Sequence, residues 1–289
     1  MSKMSFYALG LVLACGLGGL FAGARMAAAE TFKEHFEQTY PLSTGGAFTL
    51  KDVTGAVSVT AWDKSEVHVV AEKEVKAANA EEGRQRLAEL RIDATAKPGD
   101  LRIDTRFPHQ NDGILSWIGG GTGGSASVSY KIEVPRNVKV NVVTVNGALS
   151  VHGTAGDLRA ETTNGAVEVA GVQGRIHLGS TNGAISAVDT AGSVVAETTN
   201  GRIDVELKQA ERGGKMSFST TNGGIRLKVP RDIQASISAN TTNGRVSTDL
   251  PVQARGNNNK RHLDGDVNGG GGRLELSTTN GSIDITARQ

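Results

Sequence analysis

The sequence predicts an all-β fold, a β-solenoid in which one chain winds through coils of about 18 residues with Asn-Gly turns, and one short helix in its N-terminal part. Three observations predict it. The tetrapeptide T-x-N-G, or a near copy, recurs seven times, with its Asn at Asn146, Asn164, Asn182, Asn200, Asn222, Asn243 and Asn280, and the first three spacings are all 18 residues. Self-similarity at a fixed period marks stacked units, each burying its apolar face only against its neighbours. The second and fourth residues after each Gly are apolar or small in nearly every copy, as in Leu149 and Val151, Val167 and Val169, Ile185 and Ala187, or Ile283 and Ile285. That is the period of a strand with one buried face. Finally, 289 residues contain 38 Gly but only 7 Phe, 3 Tyr and 2 Trp, a composition suited to a thin aliphatic stack rather than a deep aromatic core.

Each coil divides in two. Nine residues after the regular Asn-Gly steps comes a second x-Gly step (Ala155-Gly156, Gln173-Gly174, Ala191-Gly192), again followed by inward candidates such as Leu158 and Ala160 or Ile176 and Leu178. A chain that turns every nine residues needs backbone conformations that Gly supplies without a Cβ clash and Asn tolerates best among the others. Asn-Gly is also a strong hairpin signal, so an antiparallel meander is the rival geometry. The constant period favours the solenoid, in which equivalent Asn and Thr residues stack at the strand spacing of about 4.8 Å and bond along the ladder.

Residues 1–29 read as a signal peptide. Met4 to Ala24 is apolar or small, Lys3 and Arg25 flank it, and Ala27-Ala28-Ala29 gives a cleavage site before Glu30. A lipobox-like Val12-Leu13-Ala14-Cys15 offers lipidation at Cys15 as one alternative, and an uncleaved membrane anchor is another. Cleavage leaves 29 basic against 30 acidic residues, a balance that gives no support for a nucleic-acid partner. It also removes Cys15, the only cysteine, so the exported part has no disulfide and no thiolate metal site.

Residues 30–135 are expected to form a less regular N-terminal β region, and 136–289 the regular solenoid. Ala47 to Val59 resembles a repeat with Thr54-Gly55 in place of Asn-Gly, and Val67 to Val70 continues as strand. Residues 75–90 are rich in Ala, Glu and Arg and predict a cap helix despite Gly83. Strands follow at Leu101–Thr105 and Ala126–Val134. Between them, Phe107 to Ser125 carries Ile114, Leu115, Trp117 and Ile118 beside five glycines; this is either a plug folded back on the solenoid or an interaction loop in which Trp117 and Ile118 touch a partner. KIEVPRNVKVNVVTVNG from Lys131 echoes RLKVPRDIQASISANTTNG from Arg226, each with a Val-Pro-Arg step that ends one strand and begins another. The longer spacings after Asn200 are expected to reflect extra loop residues with the strands retained.

This plan, G-x-V-x-V near the start, one helix, a Val-Pro strand and then T-x-N-G-x-I-x-V repeats, resembles a widespread bacterial family of candidate adhesins, a domain of unknown function. The resemblance covers roughly Phe48 to Ile285. It implies an all-β solenoid outside the cytoplasm and supplies no catalytic residues.

Two constellations could carry chemistry. Residues 264–275 satisfy the calcium-loop pattern D-x-[DN]-x-[DN]-G-x5-E, making Asp264, Asp266, Asn268 and Glu275 candidate calcium ligands. Flanking helices are absent and Glu275 lies in a strand pattern, so a solvated polar loop is the expected state and no cofactor is required. Outward positions Ser150, Glu168, Ser186 and Asp204 form a column in which Glu168 and Asp204 lie two coils apart, as an inverting glycosidase pair would. Two carboxylates in one column arise easily among polar neighbours. The six histidines show no metal-binding spacing and read as surface residues. No G-x-S-x-G elbow is present, and no Lys follows the glycines of residues 119–124.

The resulting expectation is an exported, non-catalytic structural or interaction module of the cell envelope, in the periplasm or at the surface. Its partner is an envelope protein or a glycan, with self-association open and membrane contact only through an N-terminal anchor or lipid. A carbohydrate-active β-helix enzyme and an envelope-stress or signalling component are the alternatives.

Overall fold

A computed structural model describes residues 29–107, 125–211 and 213–288, and the regular coils in it are parallel ladders, not a meander. Strands that precede an Asn-Gly step form one face: β8 (Lys139–Val143), β10 (Leu158–Asn164), β12 (Gln173–Asn182), the second half of β13 (Ile185–Asn200) and β15 (Lys215–Asn222). Strands that follow it form the other: β9 (Leu149–His152), β11 (Val167–Ala170), the first half of β13, β14 (Ile203–Ala210) and β16 (Ile225–Val229). In the regular coils the register follows the 18-residue period, with Leu158 beside Ile176 and Val167 beside Ile185. Leu149, Val151, Leu158, Ala160, Ile176, Leu178, Ile185 and Ala187 are all buried, so both half-coils face one narrow aliphatic core. Only at the last coil does the pattern weaken, where Val246 and Thr248 are half-buried.

The physical role of each letter of T-x-N-G is visible in the stack. In the copies from Thr162 on, the Thr, or Ser180 in one, points inward and its hydroxyl donates to the Gly carbonyl of the neighbouring coil, Thr162 to Gly147, Ser180 to Gly165, Thr198 to Gly183 and Thr220 to Gly201, at 2.9–3.0 Å, whereas the hydroxyl of Thr144 in the first copy is unpartnered. The Asn stands at the exposed edge, and its Nδ2 donates to the Oδ1 of the preceding Asn at 2.7–2.8 Å. The Gly is imposed by close approach, because a Cβ on Gly183 would lie 1.8 Å from the Gly165 carbonyl oxygen. Each hydroxyl bond contributes about 1 kcal/mol, and together they satisfy polar atoms inside an otherwise apolar core.

The coils are not stacked in chain order at either end. Asn280 takes its place between Asn222 and Asn243, donating to Asn222 Oδ1 and accepting from Asn243 Nδ2, both at 2.8 Å. Strands β21 (Gly272–Asn280) and β22 (Ile283–Ala287) are accordingly inserted between β15 and β16 on one side and β17 (Ala235–Asn243) and β18 (Val246–Thr248) on the other. The spacings of 21 and 37 residues therefore record a change in stacking order as well as extra loop residues.

The N-terminal end repeats this arrangement. Strands β2 (Ala47–Lys51) and β3 (Val57–Trp62) sit between β8 and β9 above and β6 (Asp100–Arg106) and β7 (Ala126–Pro135) below, with Thr54 bridged to Asn146 as the expected substitute for an Asn-Gly step. Both Val-Pro-Arg steps, after β7 and after β16, carry the chain past an inserted coil, from one rung to the next but one. This explains their echo. The ladder thus runs unbroken across the boundary expected between 135 and 136.

Antiparallel strands close the stack. At the start, β4 (Glu66–Ala77) pairs with β7 and with β1 (Glu30–Pro41), while β5 (Arg91–Lys97) pairs with β6; at the far end β20 (His262–Val267) pairs with β17 and with β19 (Val252–Ala254). The helix α1 covers Ala80–Glu89, shorter than the expected 75–90 because Val75 to Ala77 still belong to β4. Asn79 caps it by accepting from the Glu82 amide at 3.0 Å, and Leu87 is buried beneath it. Gly83 belongs there because a Cβ would meet the Phe32 ring at 2.4 Å, so the helix approaches β1 more closely than any side chain permits.

Candidate functional site

A groove of about 420 Å³ crosses four successive rungs of the first face, β2, β8, β10 and β12. It exists because the outward residues of two rungs are short. Thr49, Asn141, Arg159 and His177 occupy one outward row of the ladder, and Lys139, Asp157 and Arg175 the next, each row running from rung to rung. The short Thr49 and Asn141 leave a recess between the longer side chains, whose edges include Ala47, Phe48, Val140 and Leu158.

The electrostatics are uneven. Arg175 grips Asp157 with two bonds, Nε to Oδ1 at 3.0 Å and Nη2 to Oδ2 at 2.6 Å, and this holds the Asp157 carboxyl below the usual carboxylate range. Arg159 and His177 both reach Glu161, just outside the recess, at 2.6 and 3.0 Å. Among the described residues, Lys139 has no ion-pair partner and the side-chain amide of Asn141 makes no hydrogen bond; its Oδ1 is shielded from solvent and unpartnered. The buried hydroxyls of Thr144 and Thr154 are unpartnered as well, so the open polar groups of the ladder include Asn141 and these two threonines.

A second feature lies on the inward side of the same region. Asp52 occupies, in the D-V-T-G of the inserted coil, the position that Thr or Ser fills in the T-x-N-G copies, and it is 5 % exposed. Neither carboxyl oxygen reaches a full hydrogen bond; the Thr105 hydroxyl and Val53 N–H lie close enough to offset burial only in part, and the carboxyl is pushed up to about 7. Beside it, Thr105 Oγ1 and Tyr130 Oη are hydrogen-bonded at 2.7 Å, and burial pushes the Tyr130 phenol well above its ordinary value. The cluster is sealed from solvent and belongs to the core.

The residues singled out from the sequence fall as follows. Asp264 and Asp266 lie in β20, where Arg255 pairs with both at 3.3 Å and Ser236 donates to Asp266 at 2.6 Å. Asn268 donates to the carbonyls of Arg231 and Ile233. Glu275 lies in β21, paired with Lys215 and Arg273 at 3.2 and 2.5 Å, and strand β17 stands between it and β20. The loop pattern therefore does not bring its four oxygen donors to one point: the sequence spacing mimics a calcium loop, but two strands on opposite sides of a third supply the residues. Ser150, Glu168, Ser186 and Asp204 do form one outward column, with Glu168 two rungs from Asp204. Asp204 is held by Arg202 at 2.8 Å and Arg226 at 3.7 Å, a structural ion pair. Cys15, Trp117 and Ile118 lie outside the described residues.

Sequence reasoning missed the groove, because its lining comes from separate coils and shares no motif. The available signal was the outward row itself, in which Thr49 and Asn141 interrupt larger polar side chains. Asp52 was more accessible: aligning D-V-T-G with T-x-N-G exposes a carboxylate in an inward hydroxyl column.

The Toastrack DUF4097 family matches residues 43–286. No curated protein matches the chain. Among solved structures, a candidate cell adhesion protein from Clostridium sporogenes is similar at 11% identity, with 88% of this chain and 100% of that one covered and a TM-score of 0.31. A candidate lipid binding protein from Parabacteroides distasonis matches at 11% identity over 88% and 97% of the two chains, with a TM-score of 0.34. A candidate adhesin from Bacteroides fragilis matches at 10% identity over 88% and 97%, with a TM-score of 0.28.

Proposed function

Because the chain belongs to the Toastrack DUF4097 family, we propose that it is an exported, non-catalytic β-solenoid acting as an interaction module at the bacterial cell envelope. The observation that carries this reading is the recess across β2, β8, β10 and β12. It combines a preformed scaffold with charged and polar side chains, among them an Asn141 amide without a protein partner, as a binding site does. Because the scaffold is held by backbone ladders, hydroxyl bonds and amide bonds, binding there needs little ordering of the protein.

The charged column of the other face supports binding over catalysis. Asp204 is engaged by Arg202 at 2.8 Å and by Arg226 at 3.7 Å, which leaves its carboxylate less free to serve a substrate. For export, the support is the apolar run of 1–29 with its Ala27-Ala28-Ala29 site. Among the described residues no helix is long and apolar enough to cross a membrane.

Fractionation of cells producing the full chain, with mass spectrometry of the mature N-terminus and a binding titration of the isolated protein on envelope material, tests the reading. It expects a chain beginning at Glu30, saturable binding, and no cleavage of polysaccharides. A cytoplasmic protein retaining Met1, or polysaccharide cleavage lost in Glu168→Ala or Asp204→Ala, would overturn it.

A further inference from the structure

We propose that the groove over β2, β8, β10 and β12 binds an acidic glycan, a polymer of sugars bearing carboxylates; this rests on the reading of the chain as a binding module. Charge is the first argument. Lys139, Arg159 and Arg175 line the recess, facing Asp157 within it and Glu161 at its margin, which leaves one positive charge in excess. Lys139 makes no direct ion pair among the described residues and feels Asp157, already gripped by Arg175, only through space, so an incoming anion gains an ion pair there without breaking one.

Hydrogen bonding narrows the anion. A bare phosphate or sulfate offers acceptors alone, which suit the arginines and the lysine. Asn141 brings an amide without a hydrogen bond in the protein, its Oδ1 turned away from solvent, and the Thr49 hydroxyl beside it both donates and accepts. Sugar hydroxyls match both roles, and a carboxylate on the same ring reaches the basic rim. Of the apolar residues at its edge only Ala47 is half-exposed, and its methyl offers a small contact for the C–H face of a ring.

Repetition along the axis supplies the third argument. The outward rows place equivalent positions at the strand spacing of about 4.8 Å, so an extended chain of sugars lying along the axis meets a new polar residue at each rung. An acidic peptide would offer carboxylates too, but in extended form it carries no hydroxyl at each residue to engage both Thr49 and Asn141.

The test is calorimetric titration of the purified full chain with oligogalacturonate, a neutral oligogalactose of equal length, oligoglutamate and tripolyphosphate. The proposal expects saturable binding of oligogalacturonate, roughly tenfold weaker or absent binding of the other three, and roughly tenfold loss in Lys139→Ala and in Asn141→Ala. Arg226→Ala, on the opposite face, keeps full affinity. Oligoglutamate or tripolyphosphate binding as well as the sugar acid would overturn the glycan in favour of a general anion surface. Absence of oligogalacturonate binding in a protein that still binds envelope material would overturn this inference and leave the module reading standing; absence of both would remove that reading as well.

Discussion

Replacing Gly183 with Ala is expected to destabilise the protein by about 3 kcal/mol or more, a larger effect than removing the whole side-chain amide of its neighbour in Asn182→Ala. The added methyl would sit 1.8 Å from the Gly165 carbonyl oxygen and 2.4 Å from its carbon. Both belong to backbone that is itself stacked, so no rotamer change relieves the contact, and the coils must separate locally. Asn182, by contrast, is exposed and loses two ladder bonds at 2.8 Å, to Asn164 and from Asn200, worth on the order of 1 kcal/mol each at most and less in water. Urea denaturation of the two variants decides the order. If Asn182→Ala lowers the midpoint as much as Gly183→Ala, the amide ladder rather than close backbone stacking dominates the repeat.

Stability is expected to fall as pH rises from about 4 to about 7, and Asp52 is the group responsible. Its carboxyl titrates near 3.8 in the unfolded chain and is pushed up to about 7 when folded, chiefly because burial disfavours the charged form. Between these values the folded state holds a proton that the unfolded state has lost, so raising the pH favours unfolding. The stabilising contribution is complete below the unfolded value and is lost as the pH passes the folded one. Asp52→Asn keeps the shape and removes the titration. At pH 8 it should exceed the parent by about 2 to 4 kcal/mol, since each unit of displacement corresponds to about 1.4 kcal/mol, and near pH 4 the two should converge. A difference that does not change between pH 4 and pH 8 would show that Asp52 ionises freely in the folded protein.

These two residues illustrate what the sequence makes legible. The period, the inward pairs and the second Gly step are local signals, and each is found where the pattern places it: Val167 and Val169 are buried, and a Cβ on Gly192 would lie 2.2 Å from the Gly174 carbonyl oxygen. Stacking order is not local. A spacing of 37 residues is compatible with a long loop between adjacent coils or with a coil that returns to an earlier rung, and only the pairing of Asn280 with Asn222 separates them. The repeated Val-Pro-Arg step was the trace of this skip in the sequence, readable as a strand boundary but not as a jump of two rungs.

The groove escaped for the same reason. Thr49 is 92 residues from Asn141 in sequence yet lies beside it in the ladder, because the N-terminal coil enters the stack rather than capping it. The calcium-loop pattern shows the reverse error: residues 264–275 are close in sequence, while a strand separates Glu275 from Asp264 in space.

That inserted coil is the point on which the groove depends, and engineered disulfides measure it directly. In a Cys15→Ser background no other thiol is present. Cysteines at 49 and 141 replace residues on adjacent parallel strands, about 4.8 Å apart and within disulfide reach, whereas positions 102 and 141 are two strands apart at about 9.6 Å. The structure predicts rapid, near-complete cross-linking of the Thr49→Cys, Asn141→Cys pair and none of the Arg102→Cys, Asn141→Cys pair under mild oxidation. Cross-linking of the second pair in preference to the first would contradict it, because β6 would then lie next to β8 and the four rungs that form the groove would not be neighbours.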